Sequence, residues 1–425
     1  MDLRRWLRDS HLRRHWRDGG AHVRERQGGG TIEVNPPPEV GLYIHVAFCK
    51  TKCYYCDFNT YAGLGSLIEP YVGALVSEIE ALPPILPDIG RLAPAEFQIG
   101  SIFFGGGTPS LLSPTQVERV LDAAHRWPVA RDAEITLEIN PDDPSTAYFR
   151  SLRSLGVNRI SLGVQTLDDA MLRRLGRRHD AATAVAAVRS ARDAGFDNVS
   201  IDLMFALPDQ TLEHWTTTIE QALTLEADHL SLYNLTIEPE TPFATWSAAG
   251  SLQVPDDDLA ADMYQAAIDR LGAGGYEQYE ISNWSRRSPN RDLRAQHNLR
   301  YWRNQPYFGV GAGAHSSYAG FRYANLRAPL GYIKRQSAGE AAVDSAERIS
   351  RELEQGETML LGLRLAEGVS RSAFAARFGI DVKDIFGPVL TELADVGLLE
   401  SDGDRIRLTQ RGRFLGNEVF CRFLP

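Results

Sequence analysis

LYIHVAFCKTKCYYCDFN, residues 42–59, runs an apolar segment straight into a cluster of thiols. The first five residues, alternating aromatic, β-branched and apolar, have the composition of a buried strand. The rest places Cys49, Cys53 and Cys56 in a C-x3-C-x2-C spacing, in a chain with four cysteines altogether. The number three matters most. A closed structural zinc site takes four ligands, and a cubane iron–sulfur cluster usually takes four thiolates. Three thiolates on one short loop leave one iron open to a small molecule. The competing reading, a zinc site completed by a distant histidine or by Cys421, lacks the paired C-x2-C knuckles of ordinary zinc modules.

Outward from that loop the chain alternates strand-like runs with helical ones. SIFFGG (101–106), EITLEIN (134–140), NRISLGV (158–164), NVSIDLMF (198–205) and HLSLYNL (229–235) follow the first strand. Amphipathic stretches such as EPYVGALVSEIEAL and TLEHWTTTIEQALTL separate them, and Ser113-Pro114 is a helix-start signal. Continuous apolar strands between helices imply an α/β protein with a buried parallel sheet. An open doubly wound sheet and a barrel both fit the pattern. In either, functional residues belong at the C-terminal ends of the strands.

The chain has 425 residues, 43% hydrophobic and 24% charged, with a net charge of −10. That charge argues against broad nucleic-acid binding. No apolar run approaches the ~20 residues of a membrane span, and clustered thiols fit a reducing compartment, so a cytoplasmic location is expected. Residues 1–38 are arginine-rich and end in glycines and prolines, as in a disordered basic leader. Residues 39–255 hold the strand–helix core and 256–339 a looser α+β extension. In 340–425, three helices and an Asp-Gly hairpin resemble a winged helix, but its DVKDIFGPVLTELADVG segment is too acidic for phosphate contact.

Two further features sit at strand ends. GGGTPS (105–110) directly follows SIFF, and three glycines let a backbone come close to a ligand. Glu138, Gln165 and Asp202 stand in or just after successive apolar runs, where a buried polar group needs a partner. Together they form a constellation facing one site.

These motifs resemble the radical S-adenosylmethionine (SAM) enzymes. The resemblance implies a partial (β/α)6 barrel with a C-terminal helical, winged-helix-like domain. It implies that Cys49, Cys53 and Cys56 hold a [4Fe–4S] cluster, and that the amino and carboxylate groups of SAM chelate the fourth iron. Gly106, Gly107 and Thr108 then correspond to the backbone motif that binds the SAM amino group. Glu138, Gln165 and Asp202 offer partners for the ammonium and ribose, and Arg177 a cation for the carboxylate. Tyr43, Tyr55 and Thr236 complete the adenosyl pocket by resemblance.

LYIHVAFCKTKCYYCDFN, FFGGGTPS, LEINP, GVQ and IDLMFALP narrow the resemblance to the coproporphyrinogen dehydrogenase-like branch. Dehydrogenase members carry a further cysteine two residues after the third. Here that position is Phe58, as in haem-chaperone members. Ala47 departs from the family's usual proline, which bears on loop stiffness rather than ligation. The resemblance therefore implies binding haem and handing it to an acceptor haem protein, such as a membrane protein of the respiratory chain. A peripheral position at the inner membrane face and a homodimer are compatible with it. The alternative is radical oxidation of a porphyrinogen. HNLRYW (297–302) looks like the branch's haem-associated motif, with His297 as axial ligand and Tyr301 and Trp302 against the porphyrin. His315 competes for that role. His45 is expected to support the cysteine loop, and Cys421 to be an ordinary buried thiol.

Overall fold

Six parallel strands lie side by side in the order in which the chain makes them. The computed structural model describes residues 37–86, 89–92 and 96–425; most of the expected leader, residues 1–36, lies outside them. The six strands are β1 (Glu39–Val46), β2 (Gln98–Gly106), β3 (Val129–Ile139), β4 (Arg159–Gln165), β5 (Val199–Phe205) and β6 (His229–Asn234). The connecting helices are α1 (Ile68–Glu80), α2 (Pro114–Ala124), α3 (Thr146–Ser154), α4 (Asp169–Leu175), α5 (Ala181–Asp193) and α6 (Leu212–Thr224). The order decides between the two architectures that the sequence pattern left open. A doubly wound sheet reverses strand order at a switch point. Here it never reverses, so right-handed crossovers put every connecting helix on one face, and the other face curls into the lumen of a partial (β/α)6 barrel.

The alternation of each strand separates these faces. Leu42, Ile44, Ile102, Phe104, Leu137, Ile160, Leu162, Ile201 and Leu230 are buried in the main core with residues of the helices. Each such side chain contributes about 1.5–3 kcal/mol on burial. The intervening positions are largely polar: Thr136, Glu138, Arg159, Ser161, Ser200, Asp202, His229 and Ser231. The caps match local sequence. Ser113 and Gln116 form a reciprocal capping box with Pro114 in the first turn of α2. Asp168 caps α4 by accepting from Ala170 and Met171, and Gly176 ends it at φ 74°.

Residues beyond the sixth strand extend the same sheet at both edges. After α7 (Pro242–Ala248) and α8 (Asp257–Ala273), the YEQYEISN region forms a hairpin of β7 (Tyr276–Glu280) and β8 (Asn283–Arg286), with β8 antiparallel to β6. α9 (Gln296–Trp302) follows, then β9 (Tyr307–Val310), which pairs parallel with the opposite edge strand β1. β10 (His315–Tyr318), β11 (Phe321–Asn325) and β12 (Val343–Arg348) continue outward, completing a 12-stranded mixed sheet. Between β11 and β12 runs α10 (Pro329–Ser337). Finally α11 (Arg351–Gly362), α12 (Arg371–Phe378) and α13 (Val382–Asp395) surround a three-stranded sheet of β13 (Val369–Ser370), β14 (Leu399–Asp402) and β15 (Arg405–Leu408). The expected Asp-Gly turn falls between β14 and β15, with Gly403 at φ 58°. Among the described residues no helix is long and apolar enough to cross a membrane.

Candidate functional site

The cysteine loop leaves the C-terminal end of β1 and is clamped on several sides. Phe48–Cys49 pairs with Tyr61–Ala62, which closes the loop at its base. His45 Nε2 meets the Asn59 carbonyl at 3.0 Å, and Asn59 Nδ2 donates to the carbonyls of Ala312 and Arg327, each at 3.0 Å. His45 thus supports the loop, as expected. Asn59 was not foreseen, although its place directly after the CDF run could have marked it. The amide of Tyr54 donates to the Leu175 carbonyl at 3.2 Å, so the middle of the loop rests on the end of α4.

The glycine segment anchors the cysteine loop through its backbone amides. The amides of Gly107 and Thr108 are not left open. They donate to the carbonyls of Val46 and Phe48, each at 2.8 Å, and Gly106 donates to Glu138 Oε2 at 3.2 Å. A Cβ on Gly107 would stand 2.5 Å from the Phe48 oxygen, and one on Gly106 2.6 Å from the His45 ring. The glycines therefore let β2 seat the cysteine loop. Thr108 completes that seat, its hydroxyl donating to Cys49 Sγ at 3.4 Å.

The strand-end residues converge beside the loop. Arg177, aimed by the left-handed Gly176, donates to Cys53 Sγ at 3.6 Å, to the Gly163 carbonyl at 2.8 Å and to Asn140. It also meets Tyr55, whose hydroxyl burial holds well above its ordinary pKa. Much of the guanidinium is thus already engaged with the cysteine loop and β4. Gln165 has φ 68°, a left-handed conformation that a non-glycine residue adopts only at a cost. Asp202 accepts from Ser161 at 3.2 Å, and burial pushes its carboxyl up. Tyr43 projects into the lumen, with its hydroxyl 3.2 Å from His45 Nδ1 and its ring against Phe103. Thr236 is exposed just past β6.

The HNLRYW segment is helical, and it closes the lumen near the N-terminal ends of β1–β3. α9 has no side-chain cap of its own. Glu134 on β3 replaces it, accepting from the amides of Gln296 at 3.0 Å and His297 at 3.1 Å. Arg300 reaches Ser101 at 3.1 Å and Glu39 at 2.8 Å. His297 is 1% exposed. Its Nδ1 pairs with Ser101 Oγ and its Nε2 with Tyr301 Oη, each at 2.9 Å. Both ring nitrogens are therefore engaged within the fold. Trp302 packs under the Arg364 guanidinium, 4.3 Å from its ring centroid, and Tyr301 against Tyr307. His315 is exposed on β10. Cys421 is also exposed rather than buried, because it sits on the short terminal turn after Phe420.

Residues 43–222 match the Radical SAM superfamily and residues 350–415 the HemN C-terminal domain. The haem chaperone HemW of Bacillus subtilis (strain 168) is 38% identical over 384 residues, 90% of this chain and 98% of that protein. HemW of Escherichia coli (strain K12) is 35% identical over 395 residues, 91% and 98% of the two chains. The chain belongs to the HemW family. Among solved structures, the radical SAM enzyme coproporphyrinogen III oxidase HemN from Escherichia coli superposes with a TM-score of 0.76 at 25% identity, over 91% of this chain and 90% of that one. In this HemW-family chain Phe58 is 39% exposed at the end of the cysteine loop.

The donor set suits the cluster that the HemW family's superfamily implies. Cys49, Cys53 and Cys56 are free and partly exposed. Among the described residues no His, Cys, Asp or Glu group closes on one point as a single-ion site requires. A cubane asks for less, because each thiolate takes a different iron. Burial raises the thiols of Cys49 and Cys56, the latter to about 11. Without metal they stay protonated, so iron loading must release those protons.

Proposed function

We propose that this chain is a haem chaperone: it binds haem and transfers it to an acceptor haem protein, with a [4Fe–4S] cluster and exchangeable SAM at the mouth of its barrel. The observation that carries this reading is the end-to-end similarity to HemW proteins, supported by Phe58 where an oxidising member would have a cysteine. Cys49, Cys53 and Cys56 would hold the cluster, which when bound offers one open iron to the amino and carboxylate groups of SAM. Around it, Thr108 and Arg177 steady the sulfurs of Cys49 and Cys53. Glu138, Gln165, Asp202, Tyr43, Tyr55, Gly106, Gly107 and Thr236 border the space for the rest of the SAM molecule. The acceptor is a haem protein of the respiratory membrane, met at the cytoplasmic face.

The test is anaerobic reconstitution followed by haem titration and transfer to an apo-haem protein. Stoichiometric binding and transfer are expected. The likeness to HemN favours a second reading, radical oxidation of a porphyrinogen. Protoporphyrinogen IX formed from coproporphyrinogen III, SAM and a reductant would establish that reading instead.

A further inference from the structure

The lumen contains a buried cation, Arg159, with one guanidinium nitrogen unpaired and its nearest carboxylate at the limit of ion-pair reach. Arg159 opens β4 with its side chain facing inward, 2% exposed. Its Nε has no hydrogen-bond partner, and neither does the hydroxyl of Thr136, its register neighbour on β3. Among the described residues one carboxylate lies within ion-pair reach, Glu134, at 3.9 Å. Both of its oxygens already accept amides of α9. The other groups around the floor are no better placed to neutralise it. Asp202 is hydrogen-bonded by Ser161 and Ser231 and feels the Arg159 charge only from beyond ion-pair distance. His229 pairs with Ser200 and Tyr279, and His297 with Ser101 and Tyr301. Burial and a neighbouring guanidinium charge keep both imidazoles neutral: Arg159 beside His229, and Arg300 ahead of Arg159 beside His297. Native interiors rarely leave a guanidinium in this state, and one that does invites an anion.

We propose that Arg159 and Thr136 form the seat of a carboxylate carried by the tetrapyrrole guest, a propionate of a guest lodged within the lumen above the floor. The inference rests on the haem-binding reading and adds the contact that orients the guest. Arginine suits the role because its planar fork matches a carboxylate. The seat also lies well inside the barrel, so it discriminates guests by the length and charge of their side arms.

The test uses the full chain, reconstituted, in wild-type, Arg159→Gln and Arg159→Lys forms, each titrated with haem, with haem dimethyl ester and with SAM. Wild type should bind haem about tenfold or more tightly than the diester, the worth of one buried charged hydrogen bond. Arg159→Gln should erase that preference by weakening haem alone, and Arg159→Lys should keep part of it. SAM affinity should not change. Haem and diester bound equally by all three forms would overturn the seat and leave the haem reading standing. A loss confined to SAM would reassign the seat to the SAM carboxylate. No haem binding by wild type would remove the reading and the inference together. Thermal melting guards against a folding artefact. Removing a poorly paired buried cation should not lower the midpoint, whereas a drop without any change in guest preference would mark Arg159 as a purely structural partner of Glu134.

Discussion

Ser101 Oγ on β2 and His297 Nδ1 on α9 meet at 2.9 Å, 196 residues apart in the chain. That contact, with the hold of Glu134 on the first amides of the same helix, makes HNLRYW the floor of the barrel. The cysteine loop stands at the opposite, C-terminal ends of the strands. The molecule therefore presents one open end, where the cluster ligands and strand-end polar groups gather, above a polar lumen sealed from below.

His297→Ala should consequently act on stability first. It removes one hydrogen bond from each of Ser101 and Tyr301, breaks the contact with Phe103 and leaves a cavity, at a cost of about 2–4 kcal/mol. Urea denaturation measures this. The ferric-haem spectrum of the variant should match that of wild type. A shifted absorption band typical of a lost axial nitrogen would instead return His297 to the iron.

The sequence made the parallel core legible because buried strands flanked by amphipathic helices leave a strong local signal. The cysteine spacing and the polar strand ends were equally local. The floor was not. α9 has seven residues and no cap of its own, and a carboxylate 162 residues away stabilises its first turn. No local window contains that information. Nor does it contain the pairing of β9 with β1, which depends on the chain returning across the barrel. Arg159 did leave a trace, a charge inside the apolar run NRISLGV. Only the lumen-facing register shows that this charge points away from solvent.

Each of Cys49→Ala, Cys53→Ala and Cys56→Ala should abolish stable iron–sulfur loading, whereas Cys421→Ala should leave it intact. Cys421 is exposed on the terminal turn and takes no part in the loop. Iron and sulfide per chain after anaerobic reconstitution, with the visible charge-transfer absorption, distinguish the two groups. A Cys421→Ala variant that lost the cluster would contradict the three-thiol assignment.

Gly107→Ala should damage the same site without touching a ligand. The added methyl would stand 2.5 Å from the Phe48 oxygen and 2.8 Å from that of Val46. Both are backbone atoms that cannot rotate away. Overpacking of this kind costs about 1–3 kcal/mol, and the strain falls on the two hydrogen bonds that seat the cysteine loop. The expected result is faster iron loss to a chelator with only a modest fall in the apoprotein melting point. Unchanged retention would show that the seat is not needed to hold the cluster.

Stability should fall on the acid side of neutrality, and Glu78 should blunt the fall. Burial lowers His297 to about 3 and His179 to about 4, from an ordinary value of 6.5, and drives His229 down as well. As pH drops below 6.5 the unfolded chain binds protons on these histidines that the folded chain refuses, so stability declines. Glu78 works in the opposite sense. Burial raises it from 4.5 to about 7, while Tyr332, Gly311 and Asn325 hydrogen-bond its carboxyl. Its contribution is fully present below 4.5 and is lost as pH rises through 7. Between those values the folded chain holds a proton there that the unfolded chain has released, offsetting one histidine. Glu78→Gln removes the offset. The slope of unfolding free energy against pH between 4.5 and 6.5 should then steepen by up to ~1.4 kcal/mol per pH unit, the equivalent of one proton. Urea denaturation across that range in both proteins measures the difference in slope, which is insensitive to any uniform cost of the substitution. Parallel curves would mean that Glu78 is ionised in the fold throughout.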